Sequence, residues 1–175
     1  DLFTVHRLDR ETEGVVVFAR SSTAAAKLSA DIADGKWKKI YSAWLWGAPE
    51  VESGRLCDLL YYDRRLSKSF VVDRERKGVK SAELSYETVA RSADGKRTLV
   101  RVELGTGRTH QIRVHMAHLG HPLTGDFLYG TEDHDLIPRP ALHSAFLSFR
   151  HPVSGEKLNF SIPLPKDMEG LLYAD

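Results

Sequence analysis

The chain has 175 residues, 42% hydrophobic and 28% charged, with a formal net charge of +1. This is the composition of a soluble globular chain, long enough for one sizeable core. It excludes a helical membrane protein, since no apolar run approaches the roughly 20 residues that cross a bilayer, and no secretory leader opens the chain. Cys57 stands alone and cannot form an internal disulfide, so a reducing cytoplasm is the expected compartment. The basic residues are unevenly placed. Lys36, Lys38 and Lys39 form one cluster, and Arg64, Arg65, Lys68, Arg74, Arg76, Lys77 and Lys80 form another, which permits a polyanionic partner.

In chain order, "GVVVFAR" (14–20) is a continuous apolar run of strand length, rich in β-branched residues, and predicts a central strand. "SSTAAAKLSADIADG" predicts a helix capped by Ser21 or Ser22, with Ala24, Leu28 and Ile32 on one face and Gly35 at its stop. "KKIYSAWLWG" predicts a strand ended by Gly47 and Pro49. The charge-dense stretch 63–80, with an apolar island at Phe70–Val72, predicts a hairpin or an exposed excursion. Two clean alternations follow. Ala82, Leu84, Tyr86 and Thr88 share a face, as do Thr98, Val100, Val102 and Leu104, which is the period of half-buried antiparallel strands. "THQIRVHMAHLG" (109–120) predicts a short helix with Thr109 as N-cap, Ile112, Met116 and Leu119 as its core stripe, and Gly120 as its stop. "ALHSAFLSFRHP" and "KLNFSIPLP" predict two more strands, the second with Leu158, Phe160 and Ile162 on one side. Many strands and few helices indicate an α+β chain, a single domain over 1–175 built on a mixed, mostly antiparallel sheet.

Two stretches carry chemistry. "HRLDRETEG" (6–14) places Arg7, Asp9 and Arg10 beside the apolar run, so Asp9 is expected at the rim of a core. "GTGRTHQIRVH" (105–115) turns tightly on two glycines and puts His110 and Arg113 on one helix face beside the core stripe. A buried arginine requires a carboxylate, and by pattern Asp9 is the candidate partner of Arg113. Such a pair is equally open to a structural and a catalytic role, because buried ion pairs also stabilise scaffolds. His110, His115, His118 and His121 fan around a helix instead of converging, so no metal site is expected.

Together, "HRLDRETEG" and "GRTHQIRVH" resemble the RluA-type pseudouridine synthases. The resemblance continues through the tyrosine of "KKIYSAWLWG", through "HPLTGDFLYG" and "LHSAFLSFRHP", and into "PLPKD", in order over nearly the whole chain. It implies a pseudouridine-synthase-like fold and the isomerisation of uridine in RNA by breaking the N1–C1′ bond and rejoining the base through C5. It assigns Asp9 as the catalytic carboxylate, Arg113 as its arginine partner, and Tyr41 as the ring lying against the base. An arginine within about 4–6 Å lowers a carboxylate pKa by roughly 1–3 units, offsetting desolvation. Arg7 matches the arginine that fills the space of the flipped-out nucleotide, and Leu142 lies where an apolar residue would touch the base, although ordinary core is an equal reading of it. His110, Gln111, Lys38 and Lys39 are the remaining expected RNA contacts. Ribosomal or transfer RNA is the implied partner, with no metal and no organic cofactor.

Two positions depart from the family pattern. Glu13 stands where the family usually has serine, and the strands that normally precede the aspartate motif are missing, so the native start is expected upstream. The incomplete sheet leaves a rival, a synthase-like module that grips RNA without turnover, and a second, an inert core fragment.

Overall fold

Side-chain alternation with a period of two sets the centre of the molecule in the computed structural model, which describes residues 1–130 and 135–174. The elements in order are β1 (Phe3–Thr4), β2 (Glu13–Gly14), β3 (Phe18–Ala19), α1 (Ser22–Ala33), β4 (Lys38–Trp46), β5 (Ser53–Asp63), β6 (Lys68–Val72) and β7 (Val79–Arg91). Then come β8 (Arg97–Leu104), α2 (Gln111–His118), β9 (Leu142–Arg150), β10 (Lys157–Ser161), α3 (Lys166–Gly170) and a 3-10 turn at Leu171–Tyr173. The main sheet runs β10-β9-β4-β8-β7-β5-β6, every neighbour antiparallel, and β2 joins β9 in parallel. The architecture is α+β on one mixed sheet.

Ala82, Leu84 and Tyr86 of β7 and Val100 and Val102 of β8 are buried, as their alternation requires. They meet Tyr41, Ala43 and Leu45 of β4, and α2 lays Ile112 and Met116 on that face. Trp44 faces the other way, packing with Ile137, Ala141, Met168 and Leu171. Its indole N–H donates to the Met168 carbonyl at 2.8 Å and so pins α3 to the sheet. α1 forms as its pattern predicts. Ser21 Oγ accepts from the Ala24 N–H at 3.2 Å, Leu28 is buried, and Gly35 ends the helix at φ 68°.

The expectation of a central strand at 14–20 is overturned. Gly14 pairs with Ser144 in β2, Phe18–Ala19 pairs with Phe3–Thr4 in β3, and Val15–Val17 cross between them outside any strand. The valines are half-buried on a cluster of Ala19, Leu28, Trp37, Leu147 and Phe149. An apolar run reports burial, which side-on packing against α1 satisfies as well as sheet pairing does. Gly14 makes the crossing possible. It sits at φ 135°, and a Cβ there would lie 2.5 Å from Ser144 Cβ.

Three smaller corrections follow from packing. Thr109 is not the N-cap of α2. His110 precedes the helix in the left-handed region (φ 55°) with no side-chain cap, while the Thr109 carbonyl accepts from Ser69 Oγ at 2.6 Å. Phe160 is 44% exposed and Ile162 38%, because β10 is the outermost strand and nothing covers its far side among the described residues. The charged stretch 63–80 is a hairpin, formed by the end of β5, β6 and the start of β7. β5 itself carries no clean alternation to announce it, since Gly54 and the exposed Cys57 interrupt the apolar positions.

Candidate active site

The motif residues converge on a cleft of about 400 Å³. One wall is the loop Val5–Thr12, the far side is the turn Gly105–Thr109 with Gln111 and Ile112, and the floor includes Tyr41 and Leu142. Of the nine expected site residues, Arg7, Asp9, Lys39, Tyr41, Gln111 and Leu142 line the cleft. Arg113 and His110 stand immediately behind it, within the electrostatic reach of Asp9. Lys38 alternates away from the cleft and pairs with Glu103 at 3.1 Å.

Asp9 is placed by a tight turn in which the Thr12 N–H donates to its carbonyl at 3.0 Å. The turn forces Glu11 to φ 69°. His110 is likewise left-handed, so two of the three non-glycine residues with positive φ among the described residues flank the site. Backbone strain of this kind persists where surrounding structure over-determines it. His6 anchors the loop: its Nε2 accepts from the Val17 N–H at 3.0 Å and its ring meets Trp37 edge-on at 5.3 Å. Burial, with Lys39 adding repulsion, holds the His6 imidazole below its ordinary range, which keeps Nε2 an acceptor.

The expected Asp9–Arg113 ion pair is not present. Arg113 is gripped by Asp126, Nε to Oδ2 at 2.7 Å and Nη2 to Oδ1 at 2.7 Å, with both side chains buried. Burial opposes the guanidinium charge, and the Asp126 bond and charge more than offset it, so Arg113 is held above its usual value. The Asp9 carboxylate makes no ion pair and no hydrogen bond among the described residues. Asp126 lies in "HPLTGDFLYG", thirteen residues after Arg113, and nothing in its local pattern marks it as the partner. Glu13 is also clear of Asp9. Its carboxylate is largely exposed and lies 3.7 Å from Arg139.

Tyr41 is aimed by an irregularity. Ile40 pairs with Phe146 but Tyr41 with Ser144, so Ala145 is bulged out at this step of the β4–β9 ladder. The ring is buried, and burial pushes its phenol up to about 12, with a Ser144 hydrogen bond opposing and the Asp9 charge adding to the rise. Lys39 reaches toward the Gly105–Gly107 turn; burial and Arg108 hold its ammonium below the lysine range. Gln111 lines the cleft, yet its amide is engaged. Its oxygen accepts from Thr106 Oγ1 (2.8 Å) and the Arg108 N–H (2.9 Å), and its nitrogen donates to the Glu83 carbonyl (2.9 Å). It is the brace of the glycine turn. Thr12, absent from the sequence-derived set, lines the cleft with a buried hydroxyl that has no partner among the described residues.

Comparison with known proteins agrees with this arrangement. The RNA pseudouridylate synthase family pattern matches residues 1–118. The chain is 37% identical to the dual-specificity RNA pseudouridine synthase RluA of Pasteurella multocida, over 90% of this chain and 71% of that one. It is also 37% identical to the ribosomal large subunit pseudouridine synthase D of Pseudomonas aeruginosa, over 96% of this chain and 55% of that one. The chain spans about half the length of most curated relatives it matches. The solved structure of human RNA pseudouridylate synthase domain containing 1 superposes with a TM-score of 0.79 at 25% identity, covering 93% of this chain and 69% of that one. No helix among the described residues is long and apolar enough to cross a membrane. An unpaired aspartate in a cleft floored by tyrosine and leucine, the ordered motifs and the matched fold agree: this chain belongs to the RNA pseudouridylate synthase family.

Proposed function

We propose that the chain converts uridine to pseudouridine within a structured RNA, with Asp9 as the reacting carboxylate. The observation that carries this reading is a side chain without a partner. Asp9 is half-buried, bound to nothing among the described residues, and faces a cleft that Tyr41 and Leu142 also line. Both its oxygens keep their lone pairs for the sugar C1′ or for the base. In the reaction the N1–C1′ bond breaks, the uracil turns, C5 bonds to C1′ and the C5 proton leaves to solvent, so no electrons are gained or lost overall.

The uridine must first leave its stack, which costs a few kcal/mol. Arg7, exposed on the cleft rim, fills the vacated space in this proposal, and Tyr41 and Leu142 flank the extruded base. The buried phenol of Tyr41 stays protonated, so it can donate a hydrogen bond to the turning base or relay a proton. Lys39 supplies positive charge on the wall. Ribosomal or transfer RNA is the proposed substrate class; one relative is named for the large ribosomal subunit and another for dual specificity.

Tritium release from RNA carrying 5-tritiated uridine tests the reading. The wild-type chain is expected to release tritium, and Asp9→Asn to abolish release while RNA affinity and melting temperature stay close to wild type. Salt-sensitive RNA binding without release in the wild-type chain would identify a binding module instead.

A further inference from the structure

Asp126 is the most heavily engaged carboxylate near the cleft, and it touches none of the cleft surface. Its Oδ2 accepts from Arg113 Nε, while its Oδ1 accepts from Arg113 Nη2 and from the N–H groups of Leu128 (3.1 Å) and Tyr129 (3.3 Å). Fully buried and bonded on both oxygens, it cannot turn. Arg113 is held from below as well, its guanidinium carbon 5.2 Å from the centre of the Tyr129 ring. That ring is itself fixed, its hydroxyl accepting from the Ser69 N–H at 2.7 Å and meeting His110 Nδ1 at 3.0 Å. Arg113 Nη1 carries no hydrogen bond among the described residues.

An arginine fork takes a carboxylate through two parallel bonds, and a carboxylate so taken has little left to offer a substrate. Two carboxylates lie within the field of Arg113, namely Asp126, in contact, and Asp9, beyond pairing distance. We propose that Asp126 is a positioning residue that occupies the fork of Arg113 and thereby denies it to Asp9, leaving Asp9 beside a cation with both oxygens free. The proposal rests on the reading of Asp9 as the reacting group. Asp126 acts through Arg113 and takes no part in bond making.

Asp126→Asn in the full chain tests it. Asparagine keeps the shape and the backbone contacts but turns a donor toward Arg113 Nε, so the guanidinium is released toward Asp9. The expected result is a fall of kcat by between about tenfold and a hundredfold with KM within about twofold. The acid limb of kcat is expected to move to lower pH by about one unit or more, because a closer opposite charge favours an ionised carboxylate. The other groups whose charge reaches the Asp9 pocket are Arg7 on the same loop, Tyr41 from β4 and His110 before α2, and none of them is altered. Asp126→Glu is expected to recover part of kcat. In an Arg113→Met background the same Asp126→Asn change is expected to leave the acid limb where it is, since nothing remains to be released.

Should Asp126→Asn fail to fold, Arg113→Lys supplies the same test. An ammonium cannot be held at two edges, and the acid limb is expected to shift in the same direction. Turnover with an unmoved acid limb and unchanged kcat for the folded fraction would overturn this proposal alone. No turnover in the wild-type chain would overturn it together with the function on which it rests.

Discussion

Arg113 and the two aspartates around it set the chemistry at the scale of single residues. A guanidinium buried to 5% exposure requires a carboxylate in contact, and Asp126 meets that requirement at 2.7 Å on each of two bonds. Removing one partner of such a pair costs about 3–5 kcal/mol, because the other charge is left buried and alone. Arg113→Met is therefore expected to lower stability by about that amount through Asp126, and thermal or urea melts measure it. Arg113→Met combined with Asp126→Leu is expected to recover most of the loss, since an apolar pair leaves no stranded charge. Asp9→Asn is expected to melt close to wild type, having no bond to lose.

At the scale of elements, the β5–β6–β7 hairpin separates charge from the rest of the chain. Residues 61–80 hold seven Lys and Arg against three Asp and Glu, a net of +4, so the other 155 residues carry −3 of the chain's +1. The hairpin is bound to the site at its root, through Ser69 Oγ to the Thr109 carbonyl and Lys68 Nζ to the Leu128 carbonyl at 2.7 Å. Arg64 and Arg65 sit exposed at its tip with no ion pair among the described residues. Replacing both with Glu is expected to weaken RNA binding and to flatten the salt dependence by about one log–log unit per lost phosphate contact. Lys39→Ala is expected to flatten it too. Lys38→Ala is not, because Lys38 already faces Glu103. Filter-binding titrations between low and physiological salt separate these outcomes.

For the molecule as a whole, four histidines share one response to acid. His6, His110, His115 and His143 are each held below the ordinary imidazole range, burial being the largest cause in every case. His115 is the extreme, fully buried with no hydrogen bond and with Asp58 3.6 Å from Nε2. Depressed values mean that the unfolded chain binds more protons than the native one once pH falls below about 6.5, so unfolding becomes more favourable there. The stabilising contribution is complete above that pH and is lost as pH falls toward the folded values. A lower melting temperature at pH 5.5 than at 7.5 is expected, by about 2–4 °C for each kcal/mol lost. Equal melting temperatures at the two values would mean that these rings are not desolvated in solution.

Local pattern was enough for α1, for the alternating strands β7 and β8, and for the placement of Asp9, Tyr41 and Leu142 around one cleft, because period, capping residues and motif order are properties of neighbouring residues. It failed where a residue's fate depends on a distant one. Val15–Val17 are apolar whether they pair in a sheet or pack against α1, and only the position of Trp37 and Leu147 decides between the two. Gln111 and Lys38 carry the polar groups of an RNA contact, but Thr106 and Glu103 engage them. Arg113 demanded a carboxylate by its burial, and two were available. The close turn at Gly125, where a Cβ would collide with the Arg139 carbonyl, brings Asp126 to it and leaves Asp9 free. Bond-length geometry across the fold chose the partner, and chemical type alone had no means of doing so.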